Sequence, residues 1–143
     1  MGTKTTLTWS GGMAFEAEAD GHRLVLDADT AWGGKDLGPR PKPLLLLALS
    51  GCSAMDVVSL LKKMRVDDFK FRVDVDADST TEQPVTYHTI RADFRFWGDD
   101  LPPEKVIKAV RLSMEKYCGV HAMLAKAANI IVKTFINDKE VSQ

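Results

Sequence analysis

The chain has 143 residues, 45% of them apolar and 27% charged, enough for one domain that buries a core of its own. A formal net charge of −1 at pH 7 excludes an overall basic field for nucleic acid or an anionic membrane, so neither is an expected partner. The apolar run that starts at Pro43 falls far short of the ~20 residues that span a bilayer. Residues 1–6 lack the apolar segment of a signal peptide, which makes the cytoplasm the expected compartment. In that reducing setting two cysteines are free or redox-active thiols more often than a permanent staple.

Taken in chain order, residues 1–30 read as short strands, with Ser10-Gly11-Gly12 and Asp20-Gly21 as the hairpin turns between them. Residues 31–43 form a loop too rich in Gly and Pro for a helix or central strand, and long enough to be functional. Residues 44–64 read as a long central helix. Pro43 suits its first turn, its start is apolar almost all round, and Lys62 and Lys63 complement the dipole at its end. Within it, Ser50-Gly51 costs roughly 1 kcal/mol for the glycine, which predicts close packing beside Cys52.

Residues 68–97 alternate apolar and polar side chains on either side of a polar turn, the pattern of an antiparallel hairpin. Asp99-Asp100-Leu101-Pro102-Pro103-Glu104 combines acidic capping residues with first-turn prolines and predicts helices over 102–126, broken at Cys118-Gly119. Val106, Val110, Ser113 and Tyr117 fall on one face there. A last strand over 129–136 precedes a polar tail expected to fray. Together these predict a single α+β domain, antiparallel strands around a long central helix.

Cys52 lies deep in one apolar helix and Cys118 at the end of another. Composition and spacing leave two readings open. Both are small core residues, or they are a reversible thiol pair, if the helices bring their Cα atoms to within ~4.4–6.8 Å. His22, His88 and His121 are scattered, so no four-ligand zinc spacing exists, and no metal or cofactor is expected. Trp9, Trp32 and Trp97 read as core or interface anchors. Gly33-Gly34-Lys35 lacks the phosphate-binding pattern.

The run Gly33-Gly-Lys-Asp-Leu-Gly-Pro-Arg-Pro41, the helix from Leu44 to Met64 around Ser50-Gly-Cys-Ser53, and Ala109 to Val120 around Tyr117-Cys-Gly119 resemble the OsmC family in that order. The resemblance implies an intertwined homodimer with two sites at the subunit interface. It implies that Cys52 attacks an organic hydroperoxide, that Cys118 resolves the product as a disulfide, and that a small thiol or dithiol resets the pair in oxidative-stress defence.

Within the family, the sequence resembles the branch with Gly-Gly-Lys-Asp before the helix and Met-Asp after the cysteine. Better-known branches pair an arginine of the N-terminal strands with a glutamate at the start of the central helix. Gly11-Gly12-Met13 and Pro43 stand at those places. Lys42, Arg40 and Arg23 are the candidate replacement cations. Asp56, four residues past Cys52 and on nearly the same helix face, opposes a thiolate there unless a cation accompanies it. Asp36 reads as a loop-ordering residue rather than a base. The alternative function is a family member without peroxidase activity that holds a hydrophobic ligand at the dimer cleft.

Overall fold

The computed structural model describes residues 2–141, and these form two compact units, one up to Leu45 and one from Leu46 onward. The architecture is α+β, with two sheets and three α-helices among the described residues.

The N-terminal unit is a three-stranded antiparallel sheet of β1 (Thr5–Gly11), β2 (Ala14–Ala19) and β3 (His22–Leu26), in that order. Asp20 and Gly21 both take positive φ, 52° and 77°, the two-residue turn whose twist matches its flanking strands. Nearly all the side chains of β1 and β3 are exposed, and the only buried residues described in this unit are Ala14 and Asp27. Trp9 and Trp32 are 66% and 80% exposed, so neither is a core anchor within the chain.

The Gly/Pro-rich loop opens with a 3-10 turn, Thr30–Trp32, capped by Asp29. It is organised from beneath by Asp27, whose carboxylate accepts the backbone N–H of Ala28 at 2.7 Å, Lys35 at 3.1 Å and Leu37 at 3.2 Å. Burial works against that charge. The three N–H groups, with Arg40 nearby, outweigh it and hold the carboxyl below its ordinary range. Two of the glycines are sterically required: a Cβ on Gly34 would run into the Ala28 carbonyl, and one on Gly38 into that of Val25.

The second unit is built on α1 (Pro43–Lys63), which begins at the expected proline. Leu49, Ser53, Val57 and Leu61 recur every fourth residue along its buried face, and the three apolar ones join a core with Ile90, Phe94, Phe96, Val106 and Val110. By length and composition α1 could cross a membrane, with a mean hydropathy of 2.0, more than its short opening apolar run suggests. Only 22% of that stretch is buried within the chain, and Leu47, Met55 and Val58 on its other side stay exposed.

The second sheet runs β4 (Lys70–Ser79), β5 (Tyr87–Trp97), β6 (Asn129–Ile136), β7 (Lys139–Val141). The first pair is the expected antiparallel hairpin. The pairing of β5 with β6 is parallel, Ile90 opposite Ile130, and so departs from an all-antiparallel arrangement. A parallel pair needs a long crossover, which α2 (Pro103–Leu112) and α3 (Gly119–Leu124) supply.

The tail is also more ordered than expected. Asn137 and Asp138 turn with φ of 49° and 67°, and β7 pairs back on β6; Ser142 and Gln143 lie outside the described residues. At the start of α2 the expected acidic cap is absent: Pro102 occupies the capping position without a side-chain bond, and its carbonyl accepts the N–H of Lys105 and Val106. Between α2 and α3, residues Ser113–Tyr117 form a π-turn.

Candidate functional site

Three side chains converge in the second unit. Cys52 and Asp56 stand one turn apart on α1, both half-buried, and Cys118 lies buried at the head of α3. Their two sulfurs and a carboxylate oxygen all lie within 4.8 Å of one another, and both thiols are free.

The π-turn places Cys118. Its N–H donates to the Ser113 carbonyl at 2.7 Å, after which the backbone turns extended (φ −77°, ψ 104°) and the helix ends. Cys118 then caps α3 itself, its Sγ accepting the His121 N–H at 3.3 Å. Two buried serines tie the helices together. Ser113 Oγ lies 3.0 Å from Asp56 Oδ2 and 3.3 Å from the Ser53 carbonyl, so its proton is directed to the nearer, stronger acceptor. Ser53 Oγ donates to the Leu49 carbonyl at 2.7 Å.

Burial pushes the Cys118 thiol up to about 11; the His121 N–H pulls the other way, and the neighbouring Cys52 sulfur adds to the rise. Cys118 therefore holds its proton at neutral pH. Burial also lowers the pKa of the His121 imidazole and favours its neutral form; its backbone N–H, not its ring, is what meets Cys118.

Gly51 does not have the expected close neighbour. A Cβ built there would meet nothing within 4 Å, so that face of α1 is open. On the same side of α1, Leu47, Met55 and Val58 are exposed.

The structure thus brings Cys52, Asp56 and Cys118 together. The other predicted residues belong to the N-terminal unit and have partners there. Arg40 bonds Asp36 at 2.7 Å, the Gly38 carbonyl at 2.8 Å and Asp29 at 3.4 Å. Arg23 lies 3.5 Å from Glu16 and 3.7 Å from Glu18, exposed to solvent. Lys42 sits in the turn before α1, where its carbonyl accepts the Leu45 N–H. Sequence reasoning missed Ser53 and the role of Ser113. The available signal was a hydroxyl on an otherwise apolar helix face, which must find an acceptor when buried.

Residues 33–133, a span that includes both cysteines, match the family model described as OsmC-like protein. The chain belongs to the OsmC-like family. It is 40% identical to Protein YhfA of Escherichia coli K12 over 123 residues, 85% of this chain and 89% of that protein. A hypothetical protein from Aquifex aeolicus superposes with a TM-score of 0.83 at 24% identity, covering 96% of this chain and 97% of its own. The organic hydroperoxide resistance protein OhrB of Bacillus subtilis superposes with a TM-score of 0.63 at 15% identity, covering 94% and 98%. At those identities the two structures speak for the fold alone.

Proposed function

We propose that the protein reduces organic hydroperoxides through Cys52 and Cys118. The observation that carries this is the pair itself: two free thiols on separate helices, with sulfurs within 4.8 Å. Closing to a disulfide bond of ~2.05 Å requires a shift of roughly 2–3 Å at most, within reach of rotamer changes.

The Cys52 thiolate attacks the outer peroxide oxygen, the O–O bond breaks, and the alkoxide leaves as an alcohol after taking a proton. Cys52 becomes a sulfenic acid. The Cys118 sulfur then displaces water from it, giving the disulfide, with the thiol proton leaving in that water. A small dithiol restores both thiols by exchange and is itself oxidised to a disulfide. Cys52, the more exposed sulfur, is the one a substrate reaches first.

Two further parts belong to the same proposal. Leu47, Met55 and Val58, exposed on α1 with Gly51 between them, suit a second copy of the chain, as a homodimer in the cytoplasm would provide. Lys42, Arg40 and Arg23 are the cations to test as activators: the one whose change to Met slows Cys52 alkylation at neutral pH supplies the charge. The deciding experiment is thiol-coupled turnover of cumene and fatty-acid hydroperoxides. Wild-type protein no faster than Cys52→Ser would sink the proposal.

One observation favours the alternative, a ligand-holding role. The N-terminal unit has an open cavity of ≈570 Å³ lined by Leu7, Met13, Phe15, Leu26 and Trp32, with Asp27 and Arg40 among its polar groups. A small apolar molecule retained in native mass spectra of the purified protein would support that role.

A further inference from the structure

The carboxylate beside the thiols is a poor fit to peroxide chemistry. A cysteine nucleophile works as its anion, and a fixed negative charge next to it opposes that state. Asp56 is nevertheless held in place: Ser113, from another helix, donates to its Oδ2 at 3.0 Å. Two thiols and an oriented carboxylate repel one another once ionised. A divalent cation at their centre reverses that repulsion.

We propose that reduced Cys52, Cys118 and Asp56 bind one thiophilic divalent cation, with zinc as the best match to the donor set. Zinc takes sulfur at ~2.3 Å and carboxylate oxygen at ~2.0–2.2 Å in a tetrahedron, so its ligand atoms stand ~3.5–3.8 Å apart. The three atoms here lie within 4.8 Å of one another and need move by no more than about 1 Å. Two thiolates favour zinc over magnesium or calcium, which require oxygen shells.

The surrounding bonds are of the kind that orient metal ligands. Ser113 fixes the carboxylate, and the His121 N–H points at the Cys118 sulfur, where it would stabilise a thiolate. Half-burial of Cys52 and Asp56 leaves a path in and a fourth position for water or an added thiol. Binding releases the two thiol protons to solvent and changes no oxidation state. Chain spacing predicted no such site because its ligands come from two distant helices.

The site uses the same sulfurs as the proposed peroxide chemistry but does not depend on it. Zinc binding without hydroperoxide turnover leaves this inference standing, and turnover without zinc binding overturns it alone. The test titrates reduced, chelator-stripped, full-length protein with zinc against a chromogenic chelator, and with cobalt as a spectroscopic probe.

One zinc per chain is expected, with a tetrahedral cobalt spectrum carrying sulfur-to-metal charge transfer. Cys52→Ser and Cys118→Ser should each weaken zinc binding by more than about 100-fold, and Asp56→Asn by at least about tenfold. Affinity unchanged in Asp56→Asn, or in either serine variant, overturns the site, as does an octahedral cobalt spectrum. Should a variant fail to fold, the wild type still decides the matter. Zinc must slow alkylation of both thiols, and an unchanged alkylation rate overturns the proposal.

Discussion

Up to Leu45 the described chain buries one apolar side chain, Ala14, and one carboxylate, Asp27. From Leu46 onward it buries a contiguous core running from Leu49 to Cys118 in sequence. The two units are held by different forces. In the first, strand pairing and the three N–H groups gathered by Asp27 provide the order, and Leu7, Trp9, Met13 and Trp32 stay in solvent. In the second, apolar burial leads, and the stacked rings of Phe71 and Phe96, 4.4 Å apart, lie against that core. The thiols sit in the second unit, where burial raises the Cys118 thiol to about 11.

The largest effect expected from this contrast is on activity. Cys52→Ser should lower hydroperoxide turnover by roughly 10³-fold or more, while Cys118→Ser should allow one turnover and leave a sulfenic acid that dimedone traps. Stability comes next. Phe94→Ala, at a fully buried site, should cost about 3–5 kcal/mol in urea unfolding. Trp9→Ala, at an exposed site, should stay within about 0.5 kcal/mol by the same measurement. Equal costs for the two would break the contrast, because the N-terminal sheet would then have a core.

Asp27 sharpens the comparison from the other side. Asp27→Asn should leave the unfolding midpoint of the second unit alone while proteolysis within residues 33–39 speeds up roughly tenfold. The folded carboxyl titrates below its ordinary value of 3.8. Its stabilisation is therefore complete above that value and is lost as pH falls through the lower, folded one. Hydrogen exchange at Lys35 and Leu37 should accelerate only in that acidic window, and acceleration near neutrality would contradict the assignment. The smallest effect is local. Asp56→Asn removes a negative charge beside the forming thiolate and should speed Cys52 alkylation about two- to tenfold.

Features carried by short-range chemistry were legible in the sequence. Asp20-Gly21 specifies its turn because both positions need positive φ, and Pro43 starts α1 because its fixed φ suits a first turn. The β4–β5 hairpin follows from alternation. What depended on distant partners was not legible. The parallel register of β6 on β5 is set by a crossover, and β6 carries no mark of which strand it joins. β7 could have been found, since Asn137-Asp138 tolerates the left-handed region, yet its polar residues read as a tail.

The site was half legible in the same sense. Motifs marked Cys52 and Cys118, and helical spacing put Asp56 beside Cys52. The approach of all three depends on the fit of α1 to the helices that follow it. Arg40 and Arg23 look like free cations in sequence, and only the fold reveals the carboxylates they are bonded to.

The π-turn at Ser113–Tyr117 works as a vernier on Cys118. A wider helical turn holds one residue more than a regular one, and each α-helical residue advances a side chain by about 100° around the axis. Its five residues therefore bring Cys118 round to nearly the direction that a regular turn gives a residue one place earlier. Deleting Glu115, an exposed member of that turn, would remove the surplus, and a regular turn would then leave Cys118 facing Cys52 as before. Winding the same residues as a regular helix would instead swing Cys118 about a quarter-turn away and part the two sulfurs. Relatives one residue shorter between Ser113 and Cys118 should accordingly keep the pair by replacing the π-turn with a regular one.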